Sequence, residues 1–127
     1  MALEVLVADD EECAAQALAR LIAREGCAVA TAEDGEAALA ALRACPPDIA
    51  FLDMDLPRRD GHELAFAIRA DPALSHARIV LMSTRARPVD GEKARALGAD
   101  AVLVKPFGAD AVRATLAALA RTPEAVA

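Results

Sequence analysis

The chain has 127 residues, 56% of them hydrophobic and 27% charged, which is the balance of one folded domain with a single core rather than of a disordered polyelectrolyte. Its net charge of -6 argues against a primary role on DNA or an anionic membrane, and 2% aromatics, with neither Trp nor Tyr, exclude base-stacking platforms for single-stranded nucleic acid. Cys13, Cys27 and Cys45 are odd in number and never fall in a Cys-x-x-Cys spacing, so neither a disulfide framework nor a zinc ribbon is indicated, and buried or half-buried thiols in a reducing compartment are expected.

The opening MALEVLVADD carries acid where a secretory signal needs base, and no apolar run approaches the roughly 20 residues of a membrane span. A cytoplasmic location is the expectation. LEVLVADD reads as a short apolar strand, and EECAAQALARLIAREG places Leu18, Leu21 and Ile22 at helical spacing before Gly26. CAVATAE is a second strand. Asp34 stands where a helix N-cap belongs, ahead of GEAALAALRA with Leu39 and Leu42 on one face, and Pro46-Pro47 ends that helix.

DIAFLD is the third strand, and GHELAFAIRA the third helix, with Leu64 and Ile68 four apart and Asp60-Gly61 as its turn and cap. RIVLMS is the fourth strand. VDGEKARALG is a short, charge-rich helix with Gly91 near its start, and it is expected to be the least stable element. DAVLVKPF is the fifth strand, and GADAVRATLAALAR the last helix, with Val112, Leu116 and Leu119 on one stripe. Five strand-helix units in alternation, with continuously apolar strands, predict an α/β domain: a doubly wound, five-stranded parallel sheet with helices on both faces.

In such sheets ligands gather outside the carboxyl ends of the strands. There the sequence sets Asp9 and Asp10 after strand one, Asp53 after strand three, Ser83 and Thr84 at strand four, and Lys105-Pro106 at strand five. Three carboxylates, a hydroxyl and an ammonium would share one rim. Clustered carboxylates repel unless a cation joins them, and hard oxygen donors suit Mg²⁺. One carboxylate could then act as an oxygen nucleophile toward a phosphoryl group whose charge Lys105 and Ser83 help to neutralise.

The Asp53-x-Asp55 pattern after an apolar strand has three readings: an acceptor of a phosphoryl group, the nucleophile of a phosphate-ester hydrolase, or a turn residue. With ADD, FLDMDLPRRDG and KPF together, the sequence resembles, from about Leu3 to Ala120, the receiver domain of bacterial two-component response regulators. The resemblance implies a flavodoxin-like (βα)5 fold forming one domain over residues 1–127. Asp9 and Asp10 would be the acidic metal-binding pair, Asp53 the aspartate phosphorylated from a phosphohistidine, and Asp55 a further metal ligand through its carbonyl. Ser83 would be the hydroxyl residue and Lys105 the phosphoryl-binding lysine, with a cis peptide before Pro106.

Partners implied by the resemblance are a sensor histidine kinase or a histidine phosphotransfer protein, and a downstream protein on the face of the fourth helix, fifth strand and fifth helix. Neither nucleic acid nor membrane would be bound directly. A monomer or a weak, phosphorylation-dependent dimer would result, and the only chemistry would be its own phosphorylation and dephosphorylation. The tail RTPEAVA suggests no following DNA-binding domain unless the chain is an excised piece. Haloacid-dehalogenase-like phosphohydrolases share the Asp-x-Asp pattern but place it on their first strand in a longer chain. An unphosphorylated interaction module is disfavoured by the complete set of site residues.

Three positions depart from the family pattern. Asp55 puts an acid where the family tunes the lifetime of its aspartyl phosphate, Thr84 is larger than the Ala or Gly of many members and would either narrow access to Asp53 or simply pack at the rim, and Val102 stands where many members carry an aromatic residue that turns inward on activation. Any switch would then rest on the fourth helix and the loop before it. His62, His76, Arg58 and Arg59 are expected to be solvated, and Lys93 and Arg95 to pair with a partner or with Asp90 and Glu92.

Overall fold

A computed structural model describes residues 3–84 and 91–120. In chain order the elements are β1 (Glu4–Ala8), α1 (Glu12–Arg24), β2 (Ala28–Ala32), α2 (Gly35–Ala44), β3 (Ile49–Asp53), α3 (Gly61–Ala70), β4 (Arg78–Thr84), α4 (Gly91–Ala96), β5 (Ala101–Lys105) and α5 (Ala109–Ala120). The strands form one parallel sheet in the order β2-β1-β3-β4-β5. The expected doubly wound α/β architecture is therefore the observed one.

Alternation along each strand divides the core in two. Val5, Val7, Ile49, Phe51, Val80, Met82 and Leu103 pack with Leu18 and Ile22 of α1 and Val112 and Leu116 of α5. Leu6, Ala50, Leu52, Ile79 and Leu81 turn the other way, against Leu39 and Leu42 of α2, Leu64 and Ile68 of α3 and Ala94 of α4. Burial on both faces is why the central strands are apolar at every position. Phe51 is fully buried, and Phe51→Ala is expected to cost about 3–5 kcal/mol through lost contacts and the cavity left behind, read by denaturant unfolding.

Helix ends follow local chemistry. Asp34 Oδ1 accepts from the Ala37 N–H at 2.7 Å and Asp60 Oδ1 from the Glu63 N–H at 2.9 Å, so both expected N-caps are formed. Gly26, at φ 89°, and Gly98, at φ 84°, turn the chain out of α1 and α4 in a conformation that a side chain disfavours.

β2 is an edge strand that exposes Ala28, Ala30 and Thr31. Three sequence expectations are corrected. Cys13 and Cys45 are exposed and only Cys27 is half-buried, because Cys13 lies in the first turn of α1 and Cys45 is the C-cap of α2. The fourth helix ends at Ala96, short of the positive-φ Gly98, with only Ala94 buried. Arg58 and Arg59 are ion-paired to Asp34 and Glu36. His62 and His76 are exposed as expected, while Asp90 and the RTPEAVA tail lie outside the described residues.

Candidate functional site

The connections after β1 and β3 run to opposite faces of the sheet, to α1 and α3, so a crevice opens beyond the carboxyl ends of these neighbouring strands. Val7 pairs with Phe51 and Ala8 with Leu52, so Asp9 and Asp53 leave the sheet side by side. Strand alternation gives both of them, and Lys105 two residues after Leu103, the sheet side that faces α1 and α5.

The three side chains meet. Lys105 Nζ donates to Asp9 Oδ2 at 2.6 Å and to Asp53 Oδ2 at 2.9 Å. Asp9 is 2% exposed and Asp53 6%. The remaining oxygens accept backbone donors, Asp9 Oδ1 from the Glu11 N–H at 3.0 Å and Asp53 Oδ1 from the Asp55 N–H at 2.9 Å. Burial pushes the Asp9 carboxyl above the usual carboxylate range against the pull of the Lys105 and Glu11 donors, and the nearby Asp53 charge adds to the rise. Burial pulls the Lys105 ammonium down, but two carboxylates outweigh it and the group ends above its ordinary value. The two rises differ in origin: at Asp9 burial outweighs the Lys105 and Glu11 donors, whereas at Lys105 the two carboxylates outweigh burial.

Asp10, exposed at the mouth, completes a group in which one carboxylate oxygen each from Asp9, Asp10 and Asp53 lies within 4.8 Å of the others. Hard oxygen donors from three carboxylates, with one of them open to water, match what Mg²⁺ requires. The seat that the Lys105 ammonium takes between Asp9 and Asp53 marks the same spot as one built for positive charge. Among the described residues, then, the donor set fits the expected ion.

Ser83 Oγ is buried and has no hydrogen-bond partner among the described residues. Such a group is costly unless a ligand oxygen satisfies it. Its position on β4, opposite Val104 and next to the Thr84–Lys105 pair, brings it to the same rim. The Lys105–Pro106 peptide is cis, as expected. Gly61 opens α3 directly against the end of β3, where a Cβ would come within 2.8 Å of the Asp53 carbonyl oxygen.

Beside the carboxylates a cavity of about 480 Å³ lies between α1 and the chain after β5, lined by Asp9, Leu18, Leu21, Thr84, Lys105 and Phe107 among others. A larger hollow of about 620 Å³ sits at the opposite ends of the strands. Its Arg69 is consumed structurally, donating to the carbonyls of Ser75, Ala77 and Gly98 and to the Asp100 carboxylate, so the chemistry belongs to the smaller cavity.

All six expected site residues thus lie at the carboxyl ends of the strands: Asp9, Asp53 and Lys105 are in contact, Asp10 joins the two carboxylates, Asp55 touches Asp53 through its backbone, and Ser83 is placed at the same rim by its position on β4. Sequence reasoning missed the contacts of the loop after β3 with α2. Gly35 N–H donates to the Pro57 carbonyl at 3.1 Å, Arg59 Nε donates to Glu36 Oε1 at 2.7 Å, and Arg58 Nε lies 3.3 Å from Asp34 Oδ2. The opposite charges, Asp34 and Glu36 at the start of α2 and Arg58-Arg59 before α3, stand in the sequence, but no local pattern pairs them. Arg58 has φ 72°, a conformation that costs a non-glycine residue about 1–3 kcal/mol.

A family model described as the response regulator receiver domain matches residues 5–117. Protein PilG of Pseudomonas aeruginosa is 34% identical over 105 residues, which cover 83% of this chain and 78% of PilG. The alkaline phosphatase synthesis transcriptional regulatory protein PhoP of Bacillus subtilis is 34% identical over 124 residues, 98% of this chain and 51% of PhoP, so the chain spans about half of that relative. The chemotaxis response regulator CheY4 of Vibrio cholerae is similar in structure with a TM-score of 0.86 and 28% identity, covering 94% of this chain and 99% of CheY4.

Proposed function

The chain belongs to the response regulator receiver domain family, and on that premise we propose that it takes a phosphoryl group from a phosphohistidine of a sensor histidine kinase or histidine phosphotransfer protein onto Asp53. The observation that carries this reading is the meeting of Asp9, Asp53 and Lys105 at the rim that Ser83 of β4 also reaches, its buried hydroxyl without a partner among the described residues. An Asp53 carboxylate oxygen forms the new O–P bond as the P–N bond of the donor breaks, and the imidazole leaves with the bond's electrons and takes up a proton. Lys105 and Ser83 supply donors for the phosphoryl oxygens, so that charge developing on them meets groups already in place.

Receiver domains are generally Mg²⁺-binding, and here Asp9, Asp10, Asp53 and the Asp55 carbonyl would hold the ion. Bound Mg²⁺ supplies charge neutralisation at the transferring phosphoryl oxygens. The cavity next to Lys105 offers room for the donor side chain, with Thr84 narrowing its entry.

Phosphorylation adds about two negative charges and three acceptor oxygens at one point. Ser83 and Lys105 are drawn toward that charge, and the movement biases α4, whose hold on the core is the single buried residue Ala94. Half-buried Val102 and the 42%-exposed Val104 on β5 complete a face with α4 and α5 suited to a protein partner. The domain's activity is then confined to its own acyl phosphate, and signalling proceeds by binding. A cytoplasmic setting suits this role, and none of the described helices is long and apolar enough to cross a membrane.

Incubation with a small phosphodonor and Mg²⁺, followed by intact mass, tests the assignment. One phosphoryl group per chain is expected. Continuous turnover of a phosphate ester would instead make the chain a hydrolase. Asp55, exposed beside Asp53, is expected to influence water at the acyl phosphate, so Asp55→Asn should change the dephosphorylation half-life by about two- to tenfold, as followed by loss of label. An unchanged half-life would remove this role.

A further inference from the structure

The loop bearing Asp55 is tied down at a point that phosphoryl transfer itself does not require. The Pro57 carbonyl accepts from the Arg59 N–H at 2.8 Å, closing a three-residue turn around Arg58 at φ 72°. This is the rarer, strained hand of such a turn, and it persists only where its surroundings hold it. The holders are three consecutive residues at the start of α2. Asp34 pairs with Arg58, Gly35 N–H donates to Pro57, and Glu36 accepts from Arg59. Gly35 makes the approach possible, since a Cβ there would overlap the Arg59 carbonyl.

At its other end the same segment is fixed to the site by the Asp55 N–H on Asp53 Oδ1 at 2.9 Å. Only Leu56 separates that tie from Pro57, and Leu56 is itself buried, so the connection has no slack. We propose that Arg58 and Arg59 are positioning residues of the phosphoacceptor site, which, by pairing with Asp34 and Glu36 of α2, hold the turn closed and fix the Asp55 peptide against Asp53. The proposal rests on Asp53 being the phosphoacceptor and on the Asp55 carbonyl serving its metal. Exposed ion pairs are individually weak and are screened by salt, so the effect is a graded tuning of the site.

Glu36 is the handle for a test, because Asp34 also caps α2. Hydrogen exchange at the Gly35, Asp55 and Arg59 amides, measured without metal, and Mg²⁺ affinity from the shifts of the Asp53 and Asp55 amides would be compared in wild type, Arg59→Glu, Arg59→Gln and the double variant Arg59→Glu with Glu36→Arg. Arg59→Glu is expected to speed exchange and to weaken Mg²⁺ binding about fivefold, and the double variant to return both to within about twofold of wild type. Arg59→Gln, of similar length and neutral, should fall between them and covers the case in which charge reversal unfolds the loop. Unaltered exchange, altered exchange with unaltered Mg²⁺ affinity, or failure of the swap to rescue would each overturn the proposal. A wild-type chain indifferent to Mg²⁺ would instead defeat the metal reading, leaving exchange alone to decide whether the latch holds.

Discussion

Asp53→Asn is expected to abolish phosphoryl uptake from a small donor while leaving the fold intact. The amide is close in shape to the carboxylate, and its oxygen can still accept the Asp55 N–H, but it lacks the anionic nucleophile. Folding should change by no more than about 1 kcal/mol, because the Lys105 bond lost at Asp53 is offset by relief of repulsion between Asp53 and Asp9, and Lys105 keeps Asp9 as its partner. Intact mass after donor treatment, with thermal unfolding as the control for folding, measures both. A labelled, folded Asp53→Asn chain would place the acceptor elsewhere.

Lys105→Met should have the next largest effect, and it separates the stabilising role of the ammonium from its chemical one. Without metal, the substitution leaves the nearly buried carboxylates of Asp9 and Asp53 facing each other with no common cation, at a cost of about 2–4 kcal/mol once the partial exposure of Lys105 is allowed for. Added Mg²⁺ should therefore stabilise the variant more than the wild type, as read by thermal unfolding. The sign of the pH dependence follows from the two raised groups. Lys105, above its ordinary value when folded, contributes stability that is lost only as pH rises through that folded value. Asp9 binds its proton more readily when folded, so acidification through its range favours the folded chain, and the deficit of Lys105→Met should shrink as pH falls. Phosphoryl uptake should drop by about 10²–10³, the usual loss when one preorganised donor is removed. A variant as stable as wild type at neutral pH without metal would show that Lys105 does not bridge the two carboxylates.

Much of this was written in the strands. The runs around Val5–Val7, Ile49–Leu52 and Ile79–Met82 are apolar at every position because both faces are covered, and that pattern, alternating with helices, left few topologies to consider. The site was legible for the same reason: chemistry-bearing side chains at the carboxyl ends of parallel strands must share a rim, whatever the loops do. Small residues were less readable. AVATA carries too little side chain to separate an edge strand from an interior one, and the surroundings of Cys13 and Cys45 depended on helix ends rather than on their hydropathy. Arg58 and Arg59 were misjudged because their partners lie more than 20 positions away, at Asp34 and Glu36, and no local pattern encodes a loop resting on a neighbouring helix.

The assignment of Asp53 can be decided by peptide mapping after treatment with a small phosphodonor, with Mg²⁺ in one sample and a chelator in the other. One phosphoryl group on the peptide spanning Asp53, present with Mg²⁺ and absent with chelator, is the predicted result. Label on any other residue, or label at Asp53 that ignores the metal, would contradict it.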